Sequence, residues 1–149
     1  MKKFTFTLEI LKNTKEIQEK EIRKEMAGIE NRLAEQRKAL DNLDKEVTNL
    51  VSTWQKQMAK GLKPVSLQHF NSNFLQLREQ QIAIQAGIRK IEQEKGACQE
   101  RLTGLLTDLK GLEKLREQQF EQFRQDQARE LETEIGEFVN NHRQQVMTI

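Results

Sequence analysis

The feature that most constrains this chain is an apolar heptad repeat in its first half. Between residues 22 and 54, large apolar side chains recur at alternating spacings of four and three. Such spacing places them on one stripe of an α-helix, at the a and d positions of a coiled coil. The stripe comprises Ile22, Met26, Ile29, Leu33, Leu40, Leu43, Val47, Leu50 and Trp54, and Gln36 is its one polar member. The repeat therefore predicts a long helix that buries one stripe against another helix.

A turn signal in the segment KGLKPVS ends this repeat. Gly61 is suited to end a helix in the left-handed conformation, and Pro64 cannot continue one. Ser66 is suited to cap the next helix, with Val65 and Phe70 as a hydrophobic staple. We predict one coiled-coil domain over residues 1–149, with helices at about 8–60 and 66–140, a turn at about 61–65 and a frayed C-terminus.

A second apolar seam follows the turn. It comprises Leu67, Phe70, Phe74, Leu77, Ile84, Ile88, Ile91, Cys98, Leu102, Leu105, Leu109 and Leu112, with Gln81 and Lys95 as interruptions. A short connection makes two long helices antiparallel neighbours, so opposed residue numbers should sum to about 126. The predicted fold class is all-α: a long antiparallel two-helix coiled-coil hairpin whose second helix is longer than the first.

The chain opens with FTFT, whose alternation is typical of a strand. A single strand here has no partner, and the predicted register places Phe4 and Phe6 opposite Phe120 and Phe123. We therefore expect this segment to pack against the second helix, with Thr7 as the cap of the first. A second aromatic cluster is expected where Trp54 lies opposite Phe70 and Phe74. Both clusters either fill the ends of the seam or provide docking surfaces.

Composition restricts the class of protein further. Charged residues make up 32% of the chain and apolar residues 36%, a balance typical of long helices. The formal net charge of +2 comes from interleaved charges, which does not indicate a nucleic-acid surface. Glu9 and Lys12 interrupt the first apolar run, so a signal peptide is not predicted, and no stretch is apolar enough for a membrane span. A free thiol at Cys98 suits a reducing compartment, and we expect a cytoplasmic protein.

No catalytic or metal-binding constellation is apparent. His69 and His142 are far apart in sequence, and neither falls near Cys98 in the predicted register. No Cys/His spacing suits zinc, and no glycine-rich loop precedes a helix as a phosphate site. We therefore expect neither an enzyme nor a cofactor.

The opening F-x-F-x-L-E-x-L, from Phe4 to Leu11, resembles the start of the flagellar export protein FliJ family. The order of aromatic and aliphatic residues after the turn is also similar, as is a charged C-terminal helix with two phenylalanines. The corresponding residues are Phe70, Phe74, Leu75 and Leu77, and Phe120 and Phe123. The chain departs from the family at Ile135-Gly136-Glu137, where members often carry Leu-Asp-Glu.

The resemblance implies a non-enzymatic stalk of the flagellar type III export apparatus, at the cytoplasmic side of the inner membrane. Such a stalk engages the export ATPase ring, promotes its assembly or activity and couples it to the cytoplasmic domain of the membrane export gate. Escort of export chaperones is a further role that the resemblance implies. The residues assigned to ATPase binding are Phe6, Leu8, Leu11, Phe123, Leu131, Ile135 and Phe138. Those assigned to the gate are Phe70, Phe74, Leu77, Gln81 and Ile84.

Two alternatives remain open at the level of sequence. The first is the equivalent stalk of a virulence type III secretion system, which has the same fold and different partners. The second is a plain structural coiled coil that forms a homodimer in isolation. A nucleic-acid-binding helical arm is disfavoured by the mixed charge.

Overall fold

The computed structural model describes residues 3–61 and 63–147, and its architecture is two long helices. Helix α1 spans Glu9–Met58 and helix α2 spans Pro64–Met147. The predicted all-α antiparallel hairpin with a longer second helix is confirmed. No strand occurs among the described residues, so FTFT is an extended segment that leads into α1. Helix α2 also continues past residue 140, where its predicted end lay, to Met147.

The turn between the helices depends on Gly61 and Pro64. Gly61 has a φ of 86°, the left-handed conformation predicted for it, and its N–H donates to the Met58 carbonyl at 3.3 Å. Pro64 is the first residue of α2, where its missing N–H costs nothing because that position has no helical acceptor. The Lys63 carbonyl accepts the Ser66 N–H at 3.0 Å. Ser66 therefore lies inside the first turn of α2, and the prediction that it caps this helix was wrong. Val65, which was predicted to form a hydrophobic staple with Phe70, is exposed.

Close packing divides the chain into two compact units. The turn-side unit is Lys20–Thr103, and the terminal unit combines Met1–Glu19 with Gly104–Ile149. Each unit contains one segment of α1 and one of α2. The two units are described separately below.

The core of the turn-side unit is a narrow apolar seam. Its buried cluster comprises Ile29, Leu33, Ile91 and Cys98, with Ile22, Met26 and Ile88 packed against it. Ion pairs flank the seam: Arg101 Nη2 lies 2.8 Å from Glu25 Oε1, and Arg32 Nη1 lies 2.9 Å from Glu94 Oε2. The hydrogen bond that the Arg101 guanidinium donates to the Glu25 carboxylate raises the pKa of Arg101. These pairs have the predicted register. Cys98 was expected near Gly28, but its thiol contacts the Ile22 carbonyl at 3.8 Å and Gly28 is exposed.

The core of the terminal unit is smaller. Phe6, Leu105 and Leu112 are its buried apolar side chains. Lys15 Nζ lies 3.0 Å from Asp108 Oδ2 on the opposite helix, and Lys12 Nζ lies 3.6 Å from Glu113 Oε2. Both pairs again follow the predicted register. The unit therefore places the N-terminal segment beside residues 105–123 of α2.

Candidate docking surfaces

An aromatic cluster in the terminal unit centres on Phe4. Its ring lies 5.2 Å from the Phe120 ring, edge to face, and 5.7 Å from the Phe123 ring. The Arg116 guanidinium lies over the Phe4 ring at 5.9 Å from the centroid. These arrangements are favourable for aromatic quadrupoles and for a cation on a ring face. The predicted contact between the opening segment and the two phenylalanines of α2 is confirmed.

Thr7 fastens the opening segment to α2 and does not cap α1. Its hydroxyl lies 3.3 Å from the Gln119 amide Nε2, which donates to it. The first backbone hydrogen bond of α1 is accepted by the Leu8 carbonyl from the Lys12 N–H at 2.9 Å. Leu8 therefore has the cap position, and Thr7 precedes it. The opening segment and α2 are therefore joined by a polar contact next to the buried Phe6 in the chain.

The last part of α2 carries an apolar stripe that the described chain leaves uncovered. We call Leu131, Ile135, Phe138 and His142 the overhang stripe; they follow one another at spacings of four, three and four. Leu131, Ile135 and Phe138 are 58%, 55% and 72% exposed. The His142 ring is stacked parallel to the Phe138 ring at 6.4 Å. Every described residue from 131 onward is exposed, so this part of α2 is a single helix with an unpartnered apolar face.

Six of the seven residues predicted to bind an ATPase fall into two groups in the terminal unit, and the seventh, Leu11, belongs to neither. Phe6 is buried, and Leu8 and Phe123 are partly buried beside the opening segment. Leu11 is exposed on the first turns of α1. Leu131, Ile135 and Phe138 belong to the overhang stripe and are free to contact another molecule. The first group supports the fold of the unit, and the second group is the accessible surface.

A second aromatic cluster lies in the turn-side unit. The Trp54 ring stacks on the Phe70 ring at 4.3 Å, and Phe70 stacks on Phe74 at 5.8 Å. Each pair of planes is inclined by 18°. This confirms the predicted juxtaposition of Trp54 with Phe70 and Phe74. All three side chains are partly buried, so the cluster packs the seam and stays partly accessible at the surface.

Shallow grooves follow one side of this seam. They are lined mainly by amides, hydroxyls and small apolar groups, with Glu46 as an acidic member. The lining on α1 includes Ala39, Asn42, Glu46, Asn49 and Thr53, and that on α2 includes His69, Asn73, Gln76, Gln80 and Ala83. Leu77 and Ile84, two of the residues assigned to the export gate, line the same grooves. A strip with so few charges is unusual in a chain that is 32% charged.

Gln81, also assigned to the gate, is turned into the seam. Its Nε2 donates to Asp44 Oδ1 at 2.7 Å, and its Oε1 accepts from Arg78 Nη1 at 3.0 Å. The side chain is 5% exposed. Its polar atoms are therefore satisfied within the hairpin.

Two further exposed apolar residues had no predicted site role. Leu75 and Ile82 are exposed, seven residues apart on α2, and lie outside the seam. Their i,i+7 spacing was the available signal, but the stronger seam pattern concealed it.

Within the described residues, no group of acidic, histidine or cysteine side chains is arranged to hold a metal ion. No described helix is long and apolar enough to cross a bilayer.

The two described helices, with their apolar seams, define a protein of the helical coiled-coil class. The sequence matches the family described as "Flagellar FliJ protein" over residues 4–145, nearly the whole chain. The chain belongs to the FliJ family, which is not known as an enzyme family. It is a component of the flagellar type III export apparatus. No curated protein and no solved structure matches it.

Proposed function

We propose that the protein is a stalk that engages the flagellar export ATPase ring through its terminal unit and promotes ring assembly and turnover. The observation that carries this proposal is the overhang stripe on α2, an uncovered apolar face in a member of an export family. Burial of apolar surface is the dominant favourable term in most protein–protein association. Leu131, Ile135 and Phe138 are the residues that contact the ATPase in this proposal.

The other residues assigned to the ATPase have different parts in the proposal. Phe6 and Phe123 hold the opening segment against α2, as the burial of Phe6 and the ring contact of Phe123 with Phe4 favour. Leu8 has the cap position before α1, and Leu11 adds an exposed apolar group. Loss of Phe6 is therefore expected to impair ATPase binding by unfolding the terminal unit. Loss of Phe138 is expected to impair binding while the fold is retained.

The turn-side unit contacts the cytoplasmic domain of the export gate in this proposal, and this contact holds the protein at the membrane periphery. Phe70, Phe74, Leu77 and Ile84 line or adjoin the weakly charged grooves there. Gln81 acts indirectly, by fixing the helices that form the grooves. Export chaperones are a further class of partner for the same grooves. The matched family is flagellar, which favours this system over a virulence export system.

The test is a titration of the purified export ATPase with this protein, following phosphate release and ring formation together. We expect both to rise at sub-stoichiometric ratios of the wild-type protein. Leu131→Ala should abolish the rise, whereas Ile17→Ala should not. The two residues form a matched pair, since each is an aliphatic side chain 58% exposed on a helix of the terminal unit.

Circular dichroism at 222 nm on each variant separates docking from folding. Leu131→Ala with full helicity and no stimulation supports docking by the overhang stripe. Equal stimulation by Leu131→Ala and wild type contradicts it. If wild-type protein that is folded changes neither phosphate release nor ring formation, the stalk role is abandoned and a dimerising coiled-coil scaffold becomes the function to pursue.

A further inference from the structure

We infer that the turn between the two helices binds the surface of an anionic lipid bilayer. Its lysines meet the headgroups, and its aliphatic side chains enter the interface between headgroups and acyl chains. We call Lys56, Met58, Lys60, Lys63 and Val65 the basic tip. The contact is made by the protein alone and requires neither the ATPase nor the export gate, so it goes beyond the proposed function.

The basic tip lies in the longest stretch of the sequence without an acidic residue. Residues 47–78 contain Lys56, Lys60, Lys63 and Arg78, and no Asp or Glu. The rest of the chain has 21 basic and 23 acidic residues, so these four residues account for the net positive charge of the protein. A negatively charged surface is therefore attracted to this end of the hairpin in preference to the rest of the chain.

The lysines of the basic tip have no carboxylate close enough to neutralise them. Glu46, the nearest acidic residue before them, lies ten positions from Lys56, roughly 15 Å along α1. Glu79, the nearest one after them, lies sixteen positions from Lys63, roughly 24 Å along α2. Both separations exceed the screening length of about 8 Å at physiological salt. The positive charges of the tip are therefore available to a partner.

Aliphatic side chains stand among these lysines. Met58, the last residue of α1, is 58% exposed, and Val65, the second residue of α2, is 61% exposed. Every described residue from 55 to 65 is exposed. A surface that meets this end of the hairpin therefore contacts apolar groups and positive charges together.

This combination fits a bilayer interface better than other anionic partners. Lysine stems lie along apolar surface while their ammonium groups stay in the polar layer, so lysines and aliphatic side chains are accommodated side by side. Each lysine near an anionic leaflet strengthens binding by about fivefold. A nucleic acid offers phosphates but no apolar layer for Met58 and Val65. An acidic protein needs a cavity shaped to receive an exposed turn, whereas a bilayer interface needs none.

The experiment is a titration of the full chain with lipid vesicles, in which bound protein is separated by flotation. Vesicles of phosphatidylcholine alone are compared with vesicles that also contain about 30% phosphatidylglycerol, an anionic lipid. We expect binding to the anionic vesicles, and binding about a hundredfold weaker to the neutral ones. Because the attraction is electrostatic, about 1 M salt should reduce binding to the level of the neutral vesicles.

A pair of charge variants separates the tip from the net charge of the protein. Lys56→Gln/Lys60→Gln/Lys63→Gln should weaken binding to the anionic vesicles by about a hundredfold. The control triple variant removes the same charge from three exposed lysines elsewhere in the turn-side unit and should weaken binding by less than about twofold. The control residues, each changed to Gln, are Lys24, Lys38 and Lys90.

A pair of apolar variants tests entry into the interface. Met58→Ser/Val65→Ser should weaken binding by about tenfold, because two aliphatic groups no longer leave water. Leu75→Ser/Ile82→Ser is the matched control, since these side chains are 61% and 60% exposed on α2 and lie away from the tip. It should bind as the wild type does. Circular dichroism confirms that each variant is folded.

The single tryptophan of the chain reports which part of the protein touches the bilayer. Trp54 lies four residues before Met58, roughly 6 Å along α1. A lipid with a nitroxide-labelled headgroup should therefore quench the fluorescence of Trp54 when the basic tip is bound.

Four outcomes overturn the inference. The first is a folded wild-type protein that does not bind anionic vesicles at about 1 mM lipid, which would favour an acidic protein as the partner of the tip. The second is an equal loss for both triple variants, and the third is unchanged binding by Met58→Ser/Val65→Ser. The fourth is binding without quenching of Trp54, which places the contact elsewhere. The ATPase titration contains no lipid, so this contact and the proposed function can fail separately.

Discussion

Gln81 on α2 donates a 2.7 Å hydrogen bond to Asp44 on α1 from inside the apolar seam of the turn-side unit. It is the one buried polar side chain among the described residues. A polar group at a seam position costs stability but fixes register, because any slip leaves it buried without a partner. The contact therefore explains how a chain with so repetitive a pattern holds one alignment of its helices.

The two partners should respond differently to substitution. Asp44→Ala removes the acceptor of the buried Gln81 amide and is expected to destabilise the protein by about 1–2 kcal/mol. Gln81→Leu removes the buried polar group itself and should be neutral or stabilising. Urea unfolding followed at 222 nm measures both. Equal destabilisation by the two variants would contradict this account of the seam.

Two neighbouring residues on α1 should differ strongly in their contribution to stability, because one lies in the apolar seam and the other beside it. Leu33 is buried in the turn-side core, so Leu33→Ala should lower the free energy of unfolding by about 2–4 kcal/mol. Arg32 forms an exposed ion pair with Glu94, and Arg32→Ala should change it by less than about 1 kcal/mol. Thermal and urea denaturation provide the comparison. A loss at Arg32 as large as that at Leu33 would show that ion pairs, not the seam, hold the helices together.

Two glycines should respond to alanine with opposite signs. Gly61 has a φ of 86°, so Gly61→Ala should destabilise the turn by about 1 kcal/mol. Gly104 lies within α2, and a Cβ there would meet nothing within 4 Å. Gly104→Ala should therefore stabilise the protein by up to about 1 kcal/mol. The melting temperatures of both variants test this, and a decrease for Gly104→Ala would indicate crowding that the structure does not contain.

Cys98 should react slowly with thiol reagents in the folded protein. Its side chain is fully buried and its thiol contacts the Ile22 carbonyl, so reaction requires opening of the seam. The matched control moves the thiol by one position, to the exposed residue 99, as Gln99→Cys in a Cys98→Ala background. The control should react at least about a hundredfold faster at neutral pH. Similar rates for both proteins would mean that the seam opens freely.

Much of this protein follows from local sequence. Heptad spacing is a property of residues a few positions apart, so it predicted two long helices and their apolar faces. Gly61 and Pro64 have backbone preferences independent of context, so the turn and the register of the hairpin followed. The opposition of Phe4 to Phe120 is a consequence of that register.

Other features depend on contacts between segments distant in sequence, and only the tertiary structure decided them. Thr7 has the chemistry of a helix cap, but Gln119 lies within reach and pairs with it. Gln81 was expected at a docking surface because the sequence does not say which way a polar residue in a seam turns. In the structure its amide donates a hydrogen bond to Asp44 from within the seam. Phe6 and Phe138 have the same side chain and were assigned the same role. Phe6 is buried where the opening segment packs beside α2, and Phe138 is exposed on a part of α2 where every described residue is exposed.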